Sequence, residues 1–172
     1  MFAKFMMFAL VLAGTSSCAQ AKAECQNFPP QVSEYLRANK GWSVVKLTDL
    51  PDDDKQLWEQ SHGGNCPGYA EAYMFGSKAP SYALALLGRS GGVNVEKLVL
   101  LQGNAKGSQT IFAASPITTP FVTWKVKPGQ YSGASGKRKN ILGDSVIYEK
   151  MESISYQFYV ENGKVVRMVV SE

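Results

Sequence analysis

The chain lacks most of the residues from which catalytic and metal sites are assembled. It has one histidine, His62, and three cysteines, Cys18, Cys25 and Cys66. A single imidazole cannot hold a metal without partners, and no Asp, Glu or Cys near His62 has ligand spacing. In the last turn of a helix it complements the dipole instead. A Gly-x-Ser-x-Gly string does occur, Gly88-Arg89-Ser90-Gly91-Gly92, but it falls in a turn between two expected strands and lacks the strand-to-helix context of a nucleophile elbow. No P-loop or dinucleotide fingerprint is present. No Cys-x-x-Cys offers redox chemistry. After the N-terminal segment, no apolar run is long enough to span a bilayer. Charge is nearly balanced, with 18 basic and 14 acidic residues. That mild excess does not argue for nucleic acid.

What is present starts at the N-terminus. Lys4 precedes an apolar run, Phe5 to Gly14, and Ala19-Gln20-Ala21 is a cleavage site of small residues. Ala21-Lys22-Ala23 is a second candidate site. The pattern predicts a signal peptide over residues 1–21 and a periplasmic or secreted protein. The alternative is a lipoprotein anchored at Cys18, although Thr15-Ser16-Ser17 is a poor match to the usual Leu-Ala-Gly. Residues 22–172 are then a single domain with a net charge near +3, since the leader removes only Lys4. Cys25 and Cys66 are predicted to pair, as two cysteines in an exported chain usually do. Their loop of about 40 residues is worth about 4 kcal/mol in the chain-entropy account.

Two helices are expected first. Gln31 to Asn39 places Val32, Tyr35 and Leu36 on one face, with Gly41 as a stop. Pro51-Asp52-Asp53-Asp54 opens the second, which ends at Gly63-Gly64 with Leu57 and Trp58 toward the core. The three aspartates suit a helix N-terminus better than a metal cluster. Around and after them, period-two patterns predict strands over 42–47, 69–75, 82–87, 96–101, 110–113, 121–126, 145–151, 154–160 and 165–170. Tyr82 to Leu87 is apolar on both faces, which marks a central strand. Short connections make the sheet mostly antiparallel. The fold class is α+β: a mostly antiparallel sheet of about eight strands with two N-terminal helices.

Cys66-Pro67-Gly68, a turn containing Pro80, Tyr82-Ala83-Leu84, Pro128-Gly129-x-Tyr131 and the closing Val170-Ser171-Glu172 resemble a group of uncharacterised exported bacterial proteins with a degenerate FG-GAP-like element. In that group the turn before Tyr-Ala-Leu carries aspartates. Here it reads Gly76-Ser77-Lys78-Ala79-Pro80-Ser81, with no carboxylate, so no calcium site is expected. The resemblance implies no activity.

One loop combines small residues with consecutive cations: Tyr131-Ser132-Gly133-Ala134-Ser135-Gly136-Lys137-Arg138-Lys139-Asn140. On a rigid β scaffold it would be a protruding binding loop, with Ser132, Ser135, Lys137, Arg138 and Lys139 meeting an acidic protein partner. Its composition is similar to loops with which periplasmic inhibitors of lysozyme-like enzymes enter an acidic cleft. The alternative is a solvated loop with no role. Glu149 and Glu152 are close in sequence, but read as solvent-facing rather than as an acid–base pair. The expectation is an exported, non-enzymatic binding domain of the inhibitor or immunity type, with no cofactor and no metal. The competing class is a periplasmic hydrolase with an unrecognised site, and a concave pocket with converging polar groups would favour it.

Asn162-Gly163 predicts a two-residue hairpin turn. It sets Glu161 opposite Lys164, Tyr159 opposite Val166, Phe158 opposite Arg167, Gln157 opposite Met168 and Tyr156 opposite Val169. The face with Ile154, Tyr156, Phe158 and Val160 is expected inside, and Ser153, Ser155 and Gln157 outside.

Overall fold

A computed structural model of the chain describes residues 25–76, 79–102 and 108–171. The expected signal peptide over 1–21, Cys18 and part of the turn at 76–80 lie outside the described residues. Two α-helices and eleven strands occur among the described residues, so the class is α+β but the strand count exceeds eight. They are α1 (Pro30–Ala38), β1 (Trp42–Val44), α2 (Asp52–His62), β2 (Tyr69–Ala72), β3 (Ser81–Ser90), β4 (Val93–Gln102) and β5 (Ser108–Ala114). Then come β6 (Val122–Val126), β7 (Gly129–Ser132), β8 (Arg138–Ile141), β9 (Ser145–Glu149), β10 (Ser155–Glu161) and β11 (Lys164–Ser171). No described helix is long and apolar enough to cross a membrane.

All pairings are antiparallel. One sheet runs β1-β3-β4-β5 with β2 also on β3, and a second runs β11-β10-β9-β6. The Thr123 N–H donates to the Pro67 carbonyl at 2.7 Å, so the two sheets meet where β6 passes the start of β2. Phe112 of β5 reaches across to Tyr148 of β9 and Tyr156 of β10, with ring centroids 5.3 and 5.2 Å apart. The strands therefore curve around one interior.

Strands β3 and β4 explain the layering. Ala83, Ala85, Leu98 and Leu100 face that interior, while Leu84, Leu86, Val99 and Leu101 face the other way. Helix α1 covers the second face with Val32, Tyr35 and Leu36, the stripe its spacing predicts. Helix α2 adds Trp58 and Leu57 to the interior and stops at Gly63, whose φ of 61° is open to glycine at little cost. The Cys25–Cys66 disulfide forms, with Cα atoms 4.9 Å apart, tying the segment before α1 to the entry of β2.

The C-terminal hairpin has the register that the Asn162-Gly163 turn dictates, from Glu161↔Lys164 through Tyr156↔Val169. Its facing is different from expectation. Phe158 is buried, but so are Ser155 and Gln157, and Gln157 is 0% exposed. Its amide donates to the Ser145 hydroxyl at 2.8 Å. The reason is a second hairpin, β7–β8, in the stretch expected to be a loop. Its turn is fastened to β11 by the Ala134 N–H donating to the Val169 carbonyl, 2.9 Å, and Lys139 of β8 pairs with Glu161 of β10. The sheet thus has no bare side there, and both faces of β10 are buried.

Candidate functional site: a basic groove beside the C-terminal hairpin

The segment 129–141 has few apolar side chains, so backbone bonds shape it. Strand pairing sets Tyr131 opposite Lys139 and Ser132 opposite Arg138. The turn closes through the Gly133 N–H to the Lys137 carbonyl, 2.9 Å, and the Gly136 N–H to the Gly133 carbonyl, 2.8 Å. Gly133 allows a close approach to β11. A Cβ there would lie 3.0 Å from both Met168 Cγ and the Val169 carbonyl oxygen. The Tyr131 hydroxyl donates to the Lys127 carbonyl and steadies the hairpin base.

The expected protruding loop is thus a docked hairpin, and its cations edge a concave surface. A groove of 610 Å³ is lined by Ser135, Lys137, Arg138 and Lys139 on the hairpin and by Tyr159 and Met168 on the C-terminal strands. Four of the five residues expected to bind are brought together. Ser132 is exposed on β7 but does not line the groove. Lys137 and Arg138 are exposed, whereas Lys139 is half-buried and its ammonium is held by Glu161, which raises its pKa through the hydrogen bond and the charge. Arg167 also borders the groove, but its guanidinium lies over the Tyr156 ring at 4.9 Å. The described lining has cations and hydroxyls over an apolar floor, with no carboxylate or imidazole. Such a lining gives a locally positive surface whose donors match anionic groups.

Other sequence candidates have structural settings. The His62 ring is stacked on Trp58 at 4.1 Å and lies 4.7 Å from Trp124, and burial lowers its pKa. It is in the last turn of α2, but this packing favours the neutral imidazole and works against the dipole role. Asp52, Asp53 and Asp54 form the first turn of α2 as expected. The N-cap residue is Pro51, with no side-chain cap, and Asp54 is buried, which raises its pKa. No group of three or more His, Cys, Asp or Glu among the described residues could hold a metal ion. Glu149 is half-buried rather than solvent-facing, and burial raises its pKa, while Glu152 is exposed.

Sequence reasoning missed Glu96. It lies on β4 inside the interior, 1% exposed, and its carboxylate accepts the Phe121 N–H at 3.0 and 3.1 Å. Burial pushes its pKa up to about 7. The Tyr148 hydroxyl is the electrostatic neighbour whose own pKa is raised by burial and by this carboxylate, and it lacks a hydrogen-bond partner of good geometry. The only sequence signal was a glutamate on the stretch Val95 to Leu101, where Lys97 is the one other charged residue.

No protein-family model matches this chain, and no curated protein or solved structure matches it either.

Proposed function

We propose that the protein is an exported, non-enzymatic binding domain that captures an acidic protein partner in the groove beside its C-terminal hairpin. The observation that carries this reading is the gathering of Ser135, Lys137, Arg138 and Lys139 around one concave surface with an apolar floor. Exposed cations steer an acidic partner, and the apolar floor adds burial once contact is made. The disulfide suits an oxidising compartment, which supports export to the periplasm or beyond. The narrower form is an inhibitor or immunity-type protein, in keeping with the small-residue and basic composition of residues 131–140. A concave site favours the hydrolase alternative, and Ser135, Lys137, Lys139 and Tyr159 are in the lining. What weighs against it is that no described lining residue is a carboxylate or an imidazole to orient and activate a nucleophile.

The test uses poly-glutamate as the acidic probe and poly-lysine as its control. Binding to poly-glutamate alone, weakened by the combined change of Lys137, Arg138 and Lys139 to Ser and most clearly at low salt, supports the reading. Unchanged affinity in a folded triple variant would rule the groove out.

A further inference from the structure

We propose that the groove receives its acidic partner as an extended peptide segment that adds a strand to the free edge of β11. This rests on reading the groove as a site for an acidic partner. Strand β11 ends its sheet, so among the described residues one of its sides has no neighbouring strand. Which groups point that way follows from the turn. In a hairpin with a two-residue loop, the closing pair exchanges hydrogen bonds and the pairs alternate beyond it. Glu161–Lys164, Tyr159–Val166 and Gln157–Met168 are then the bonded pairs. Val165, Arg167 and Val169 aim their N–H and C=O groups outward. The bond from Ala134 to the Val169 carbonyl fixes this phase independently, because that carbonyl is one of the outward set.

The docked hairpin uses the edge at Val169 and stops there. Among the described residues, no hydrogen bond takes the outward groups of Val165 or Arg167. Main-chain donors and acceptors in a row are what an added strand recognises. The occupant's charge is set by what stands beside the edge. Lys137 and Arg138 are exposed on the hairpin that lines the same groove as Arg167, and Lys164 is exposed where β11 begins. A segment with carboxylates on alternate residues would match both the ladder and the cations. A basic or strictly apolar strand would match only the ladder.

The test measures fluorescence anisotropy of an end-blocked eight-residue peptide alternating Glu and Val. Two further copies are N-methylated at alternate residues, one in each phase, and a Lys-Val copy is the charge control. Binding of the Glu-Val peptide, with a loss of at least about tenfold for one methylated phase and none for the other, supports strand addition. Arg167→Pro removes one outward N–H, and an edge strand tolerates it. With an unchanged circular dichroism spectrum, this variant should lose a similar factor. Equal binding of both methylated copies overturns the proposal even if the proline variant fails to fold. If the Lys137, Arg138 and Lys139 triple change weakens binding while both methylated copies bind like the parent, the groove stands and strand addition falls. If the triple change has no effect, or the Glu-Val peptide does not bind, both fall together.

Discussion

The two hairpins of the C-terminal half are made of different material. β10–β11 has a two-residue turn with φ of 52° and 74° at Asn162 and Gly163, and it buries apolar side chains against the interior. β7–β8 has a five-residue turn and a mostly polar sequence, and it is held by attachments to the other hairpin at Val169 and Glu161. The first is stabilised by what it buries, the second by where it docks. Exposed cations can collect on the second because its side chains carry little of the core.

The largest effect should separate them. Phe158 is 2% exposed in the interior, and Phe158→Ala should cost about 3–5 kcal/mol in urea unfolding. Tyr131→Ala in the docked hairpin removes a half-buried ring and one hydrogen bond to a carbonyl, for about 1 kcal/mol. Equal costs would mean that β7–β8 is as much a part of the core as β10–β11, and the contrast would collapse.

The inner face of β10 also controls a charge. Tyr156 packs against Phe112 and Phe121, and the backbone of Phe121 holds the Glu96 carboxylate. With a folded pKa of about 7 against an unfolded value near the usual glutamate range, Glu96 binds its proton more tightly in the folded state. Its contribution is fully present below about pH 4.5 and is lost as pH rises through about 7. Glu96→Gln keeps an acceptor for Phe121 without the charge. It should be more stable than the parent at pH 8, by on the order of 3 kcal/mol, and should flatten the slope of stability between those pH values. The same slope in parent and variant would mean that Glu96 is not the titrating group.

How much of this was legible follows from where the physics is local. The register of β10–β11 could be read because two residues set it, and the α1 stripe because Val32, Tyr35 and Leu36 repeat at helical spacing. The disulfide followed from the cysteine count and the expectation of export. Strands β7 and β8 could not be read. Tyr131 and Ile141 are their only large apolar side chains, and the contacts that order them come from β10 and β11, far away in the sequence. The same blind spot misplaced Gln157. Its strand position correctly put it opposite Phe158 in facing, but nothing local announced that this face is covered too. The candidate cations were legible as a cluster, while the groove they border needed Tyr159 and Met168 to come alongside.

Gln157 therefore gives a smaller but sharper test. Its Nε2 bonds Ser145 while its Oε1 has no partner among the described residues. Gln157→Ala should cost about 1–3 kcal/mol, because it opens space and leaves the Ser145 hydroxyl without this bond. Gln157→Met fills the space and removes the orphaned oxygen, so it should recover part of that loss in the same unfolding measurement. A neutral Gln157→Ala would mean that water reaches this face and that the docked hairpin does not seal it.

The smallest effect on stability should accompany the clearest effect on binding. Lys139 and Glu161 join the two hairpins on the surface, where solvent weakens the pairing of their charges. Glu161→Gln should leave the unfolding midpoint within experimental error. The same change removes the acidic neighbour that occupies Lys139 and would repel an acidic ligand. Affinity for poly-glutamate should rise, and the rise should shrink as salt is added. If the unfolding midpoint falls sharply instead, the ion pair is part of what docks β7–β8, and the division between a buried hairpin and an attached one must be redrawn at Lys139. If stability holds and affinity does not rise, Lys139 is already free to bind, and the pairing with Glu161 has no hold on the groove.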